Sequence, residues 1–171
     1  LWSCLSPPTP GSRLIGPFVR PAAETGIAMG FTAFAAQLSG YVPGATALID
    51  ILDNFYARQH DDGFICRALD PADGDDCHPP YEPNSTGPAL LAWAEWRHFR
   101  LSGDASRIAT VFPPLLAYHR WCRANRTWPN GLYWATGPSN GLTNQPRVPR
   151  GRNHHAHWAW VDATAQAALS A

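Results

Sequence analysis

Apolar positions recur at helical spacing along most of the chain. Between 22 and 38 an Ala-rich run carries Ile27, Phe31 and Phe34 at three- and four-residue steps, which predicts a helix in spite of Gly26 and Gly30. Ser39-Gly40-Tyr41-Val42-Pro43-Gly44 breaks it. A second helix is expected over 45–59, where Leu48, Ile51, Leu52, Phe55 and Tyr56 form one stripe and His60-Asp61-Asp62-Gly63 marks the stop. The stretch 89–101 is apolar nearly all round, through Leu90, Leu91, Trp93, Trp96 and Phe99. It should lie buried between two layers, with Trp93 and Phe99 largely covered. Gly103 ends it and Asp104 caps a fourth helix over 105–123, with a bend or break expected at Pro113-Pro114. Leu132-Tyr133-Trp134 is a strand candidate, and a last helix is expected from His157 onward.

The intervals between these helices are uneven. Residues 1–21, with five Pro and no sustained period, read as an irregular arm. The stretches 60–88 and 124–156 are long loops of the kind that carry function. Helix pairs alternating with long loops, and no β-α-β unit, predict an all-α fold of helical hairpins, stacked into a solenoid or closed into an α/α barrel. The long loops follow alternate helices and so gather at one end, where they make a pocket. A helical-hairpin interaction scaffold fits the same pattern, although no fixed-period repeat motif accompanies it.

Composition changes this picture in a few places. The 171 residues hold thirteen Arg, no Lys and thirteen acidic residues, for a formal net charge of zero, and the charges are interspersed. That leaves no basic footprint for nucleic acid. The longest smooth apolar stretch, 27–38, is interrupted by Gly30 and Thr32 and falls short of a membrane span. Eight Trp and five Tyr suit a carbohydrate site, where ring faces stack on sugars, and suit an aromatic-rich core equally well. The chain begins at Leu1 and stops inside a predicted helix, so it reads as a fragment.

Candidate chemistry is sparse. Cys4, Cys66, Cys77 and Cys122 match no zinc spacing, and Cys66 and Cys77 flank an acidic loop that a disulfide can close. Asn84-Ser85-Thr86 and Asn125-Arg126-Thr127 are glycosylation sequons. Asn153-His154-His155-Ala156-His157 is the most metal-like stretch, but it lacks a carboxylate or Cys at ligand spacing and reads as a solvated loop. Asp70-Pro71-Ala72-Asp73-Gly74-Asp75-Asp76 resembles a calcium loop in charge alone and reads as an acidic turn. No phosphate loop and no nucleophile motif is present, so no metal or cofactor is expected.

A series of motifs is more specific. Leu52-Asp53-Asn54-Phe55-Tyr56-Ala57-Arg58-Gln59-His60 is followed by Asp62-Gly63-Phe64-Ile65, by Ser85-Thr86-Gly87-Pro88 and by Ala92-Trp93-Ala94-Glu95-Trp96. Pro113-Pro114-Leu115-Leu116-Ala117-Tyr118-His119-Arg120-Trp121, Gly131-Leu132-Tyr133-Trp134 and Trp160-Val161-Asp162-Ala163-Thr164-Ala165-Gln166 continue the order. This series resembles the inverting glycoside hydrolases with an (α/α)6 barrel, the family-63-like group of trehalase, mannosylglycerate hydrolase and processing α-glucosidase I. The resemblance is good from Leu52 onward, weak over 25–51 and absent before that. It implies that 22–171 is the N-terminal part of such a barrel, with a carbohydrate substrate: an α-glucoside, an α-mannoside or a small oligosaccharide.

The resemblance also places the chemistry. Inverting enzymes protonate the leaving oxygen with one carboxylic acid while a second carboxylate activates water about 6.5–9.5 Å away. The family's acid is the Asp of a Gly-Met-Asp-Asn-x-Pro-Arg segment, and here the segment reads Gly141-Leu142-Thr143-Asn144-Gln145-Pro146-Arg147. Thr143 therefore stands at the general-acid position and is not a competent acid, while the base is expected beyond Ala171. That favours, as an alternative, a sugar-binding domain without catalysis. Asn144, Arg147, Trp134, Trp160 and Asp162 are the implied substrate-binding residues. Each has a plainer reading: Arg147 as a loop pin, the two Trp as core aromatics, and Asp162 as a first-turn acid favoured by the helix dipole. Glu95, near Arg97 and Arg100, reads as an ion-pair or loop-anchoring residue rather than a base.

Overall fold

The computed structural model describes residues 4–21, 24–41, 46–137, 139 and 158–171. The expected irregular arm has little regular structure, yet it is built into the core. Leu5–Ser6 (β1) pairs antiparallel with Phe18–Val19 (β2), and Leu14, Phe18 and Val19 are buried. Asn54, fully buried, holds the arm with one amide. Its Oδ1 accepts from the N–H of Ile15 and Gly16 at 2.9 and 3.1 Å, and its Nδ2 donates to the carbonyls of Gly16 and Pro17. Four hydrogen bonds offset the cost of desolvating this amide in the interior.

The first helix is shorter than the periodicity predicts. Ile27–Ala28 (β3) is extended and pairs antiparallel with Ala68–Leu69 (β4). A Cβ at Gly26 would lie 3.2 Å from the Cys77 sulfur and 3.3 Å from the Leu69 carbonyl, so this glycine serves close strand approach rather than a helix interior. Helix α1 then runs Met29–Ala36 and tightens into a 3₁₀ turn over Gln37–Gly40. Its buried face is the small one, with Ala33, Ala35 and Ala36, while Phe31 and Phe34 turn outward. The predicted Ile27-Phe31-Phe34 stripe is thus corrected, because small residues let the helix approach its neighbours closely.

The second predicted helix divides. Thr46–Leu52 is 3₁₀ and only Asp53–Ala57 (α2) is α-helical. Leu48, Ile49, Ile51 and Leu52 are all buried. The three-residue repeat stacks Leu48 on Ile51 and Ile49 on Leu52, and β-branched Ile49 and Ile51 weaken the α alternative. Helix α3, Leu91–Ser102, ends at Gly103 with φ +71°, and Asp104 caps α4, accepting from the N–H of Ser106 and Arg107. Both signals were legible. Helix α4, Ala105–Asn125, continues through Pro113 and Pro114 without the expected break. Gln59 Nε2 donates to the Pro114 carbonyl at 2.8 Å and ties this point of the helix to the end of the second segment.

Helix α3 is not covered on all sides. It buries Leu91, Ala94, Glu95 and His98, leaves Trp93 and Phe99 half-buried, and exposes Trp96 at 53%. The expectation that Trp93 and Phe99 are largely buried is corrected accordingly. Trp134–Ala135 (β5) lies one residue beyond the centre of the strand candidate and pairs with Trp158–Ala159 (β6). The last helix, α5, starts at Val161 and runs to Ser170. Helices α1, α3 and α5 contact one another in that order, with the 46–57 segment against α1 and α4 against α3. Helices are by far the larger part of the regular structure among the described residues, whose strands are three two-residue ladders. No helix among them is long and apolar enough to cross a membrane.

One charged cluster joins the layers. Glu95, 1% exposed, accepts from Arg107 Nε and Nη2, both at 2.8 Å, and from the Tyr56 hydroxyl at 2.9 Å. The same guanidinium reaches Asp53 at 2.9 Å, Asp50 at 3.3 Å and the Ile49 carbonyl at 3.2 Å. Burial and the neighbouring Asp53 hold the Asp50 carboxyl above its usual range, against the pull of Arg107. Glu95 is thus an ion-pair residue, but the expectation of a partner on its own helix, Arg97 or Arg100, is corrected: the partner is Arg107 of α4, because Glu95 points into the core and not along the exposed side where Arg97 and Arg100 lie.

Two outcomes follow from this packing. Arg107→Leu strands the buried Glu95 carboxylate and is expected to cost about 3–5 kcal/mol, part of it recovered in the Arg107→Leu/Glu95→Leu pair; urea unfolding followed by tryptophan fluorescence reads both. The second concerns Trp96, Phe112 and Leu169, each more than half exposed around one groove between α3, α4 and α5. The 171-residue chain is expected to bind a hydrophobic dye and to self-associate in size-exclusion chromatography, both reduced by Phe112→Gln.

Candidate functional site

The N-terminal ends of α1, α3 and α5 gather the loops that the sequence places at one end. The first N–H of α1, from Met29, donates to the Arg67 carbonyl, and Arg67 N–H donates to the Ser85 carbonyl just before α3. A Cβ at Gly87 would lie 3.1 Å from the Arg67 Cβ and 3.4 Å from the Met29 sulfur, so these strands of backbone meet closely. On the α5 side, the Tyr133 N–H donates to the Thr164 hydroxyl and the Trp160 N–H to the Tyr133 carbonyl.

Arg126 occupies the centre of this end. It is 5% exposed, and its guanidinium lies between the indoles of Trp121 and Trp134, at 4.8 and 4.7 Å from the ring centroids. In its plane it donates to the Thr86 and Ser85 hydroxyls and to the carbonyls of Pro80, Glu82 and Asn125. Every one of these acceptors is neutral. Burial accordingly lowers the affinity of the guanidinium for its proton, though an arginine remains charged. Trp121 is anchored in turn by Asp62, whose carboxylate accepts from its indole N–H at 2.9 Å and from the Phe64 N–H at 3.0 Å. Although burial raises it, those hydrogen bonds leave the Asp62 carboxyl below its usual range.

A second polar knot lies beside it. The Thr136 hydroxyl donates to Asn84 Oδ1 at 2.6 Å, and Ser139 Oγ accepts from the Thr136 N–H at 2.8 Å. Asn84, Ser85, Thr86, Thr136 and Ser139 are all buried. The first sequon is thus absorbed into the interior. In the second, Asn125 Nδ2 donates to the Trp121 carbonyl, and Arg126 is the stacked residue itself.

The sequence-predicted residues fare differently. Trp134 is half-buried and covered on one face by Arg126. Trp160 is 7% exposed and donates its indole N–H to the Ala135 carbonyl at 2.9 Å, so it lies within the wall of this end. Asp162 sits in the first turn of α5 and is half-buried. Thr143, Asn144 and Arg147 fall outside the described residues, as do His154, His155 and His157. The 70–76 segment is an acidic turn: Asp70 and Asp73 accept from backbone N–H groups two residues on, Asp75 pairs with Arg13 and Arg58, and Asp76 with His60. Among the described residues no group of three His, Cys, Asp or Glu side chains is placed to hold a metal ion. Arg126 and Asn84 fall within the two sequons, yet nothing local in the sequence marks either as a site residue.

Residues 32–168 match the model of the mannosylglycerate hydrolase MGH1-like glycoside hydrolase domain. The chain belongs to that glycoside hydrolase family. An uncharacterised protein of Borreliella burgdorferi is 30% identical over 108 residues, which is 63% of this chain and 23% of that protein. The chain thus spans under a quarter of its relative's length. No solved structure matches it.

The cysteines form no bridge among themselves. All four are free thiols. Cys77 N–H donates to the Ala68 carbonyl and Leu69 bridges Asp76, a register that sets Cys77 opposite Ala68 and two residues past Cys66. Such a diagonal spans about 7–8 Å in a regular ladder, beyond disulfide reach. Burial pushes the Cys66 thiol up to about 11 and the Cys122 thiol up to about 12, the latter against the pull of Tyr118 and Arg126. Among these three, only exposed Cys77 is expected to react with a maleimide in the native protein at pH 8, with Cys66 and Cys122 labelled after unfolding; mass mapping of the labelled peptides reads the order.

Proposed function

We propose that this domain is the N-terminal part of a family-63-like (α/α)6 barrel that, in the complete polypeptide, hydrolyses small α-glucosides, α-mannosides or oligosaccharides with inversion. The observation that supports it is the gathering of loops, aromatic rings and buried hydroxyls at the N-terminal ends of the successive helices α1, α3 and α5, each of the first two backed by an outer element. An inner ring of helices with an outer ring behind it is the arrangement a barrel of this kind repeats.

In this reading Trp134 offers a ring face to the sugar, and Asp162 accepts from a sugar hydroxyl. Trp160, already within the wall, holds Ala135 and thereby the strand that carries Trp134. Asn144 and Arg147 contribute from the 141–147 loop. The acid step is the weak point. Inversion needs a proton for the leaving oxygen, and a Thr hydroxyl at 143 does not supply one, a loss worth about 10²–10⁴ in rate. Thr143 therefore favours a second reading, a domain that binds sugar without cleaving it.

The two are separated by Thr143→Asp in the full-length polypeptide, assayed on activated and natural α-glucosides and α-mannosides alongside sugar binding by calorimetry. Sugar binding in both proteins, with turnover gained only in the variant by up to about 10²–10⁴, is the outcome expected of a lapsed hydrolase. High wild-type turnover would mean that the acid lies elsewhere. Absence of binding and of turnover in both would favour an interaction scaffold.

A further inference from the structure

We propose that Arg126 is a positioning residue, whose guanidinium, clamped between Trp121 and Trp134, fixes the plane that Trp134 presents to a bound sugar and couples that plane to the 80–86 loop. The sugar role of Trp134 rests on the function proposed above; the coupling rests on geometry alone.

The geometry leaves the guanidinium one orientation. Its central carbon lies over two indole rings, 4.8 and 4.7 Å from their centroids. Around its edge, five hydrogen bonds to Thr86, Ser85, Pro80, Glu82 and Asn125 run from 3.0 to 3.3 Å. A planar fork held by five hydrogen bonds and packed against two rings transmits its tilt to whatever lies on it. Trp121 cannot yield, because it is 4% exposed, its indole N–H is held by Asp62 and its ring packs on Phe64 at 4.9 Å. Trp134 is the plate nearer the surface, being half-buried on a two-residue ladder. Its ring packs against the guanidinium, so a change in the tilt of Arg126 is felt by Trp134.

The charge argues in the same direction. A guanidinium used only to hold a fold is commonly met by carboxylates, as Arg107 is by Glu95 and Asp53. Arg126 instead binds hydroxyls and carbonyls, with two π faces supplying the remaining stabilisation. Lysine cannot replace it, since an ammonium has no plane to stack and too few donors for five acceptors.

The test uses the full-length polypeptide labelled with 5-fluorotryptophan, the Trp134 resonance being assigned by its loss in Trp134→Phe. In Arg126→Lys that resonance is expected to shift or split, with that of Trp121, while those of Trp93, Trp96 and Trp128 stay in place. Affinity for the best-bound α-glucoside or α-mannoside is expected to fall about tenfold, and any turnover to suffer in KM more than in kcat. A folded Arg126→Lys protein with an unmoved Trp134 resonance, or with wild-type affinity, would overturn the proposal. Where Arg126→Lys does not fold, Thr86→Val removes a single acceptor and is expected to move Trp134 less but detectably; no movement overturns the coupling. Should the wild type bind no glycoside, the function proposed above and the sugar role of Trp134 both fall, and the coupling is judged by the fluorine spectrum alone.

Discussion

Arg107 serves three carboxylates with one guanidinium, and the packing of the helices follows from where those carboxylates lie. Glu95 comes from α3, Asp53 from the start of α2 and Asp50 from the 3₁₀ segment before it, while Arg107 itself is in the first turn of α4. Glu95 occupies a core position on the stripe Leu91, Ala94, Glu95, His98. An ionised carboxylate there costs several kcal/mol unless it is paired and fully hydrogen-bonded, and two N–H donors with the Tyr56 hydroxyl meet that requirement. Sliding α4 by one turn, about 5.4 Å, would leave the charge without a partner. The apolar contacts of these helices tolerate more than one register; this pair does not.

The far end of α4 is held by a different device. Arg126 is its C-cap residue, about 28 Å along the axis from Arg107 at 1.5 Å per residue. A cation there complements the partial negative charge of the helix C-terminus. One end of the strut is thus pinned by carboxylates from the outer segment and α3, the other by hydroxyls, carbonyls and two indoles from the loops. Two adjacent prolines within a helix clamped at both ends remove two internal hydrogen bonds without breaking it, and the Gln59 side chain adds a tie at that point.

What was legible in the sequence follows the range of the interaction. The period of α3 and α4, the Gly103 stop and the Asp104 cap are local and read correctly. The extent of α1 was misjudged because Ile27 is held by Leu69, forty-two residues away, and Gly26 by the close approach of Cys77. The 3₁₀ character of 46–52 was missed since a stripe containing Leu48, Ile51 and Leu52 suits either helix, and only the burial of Ile49 separates them. For the site, Trp134, Trp160 and Asp162 were reached through resemblance, and no local pattern marked them. Arg126 resembles any other arginine at a helix end until the indole of Trp121 and the loop of 80–86 are folded around it.

Several acids of the described residues are committed to fixed partners. Glu95 and Asp53 are committed to Arg107, Asp75 to Arg13, Asp76 to His60, and Asp62 to Trp121 and Phe64. Neither α1 nor α3 carries an acidic residue in its first turn, and α5 carries Asp162. Inverting hydrolysis needs two carboxyl groups facing each other about 6.5–9.5 Å apart across the bond to be cut, and the N-terminal ends of these three helices supply one carboxyl in their first turns. What surrounds them is fixed shape: an arginine packed against two indoles, buried hydroxyls, and loops tied to one another through backbone groups. Under the function proposed above, this wall would serve recognition, and the two carboxyl groups that inversion needs would have to come largely from elsewhere in the polypeptide. Thr143, at the acid position that the resemblance implies, suits recognition and cannot donate that proton.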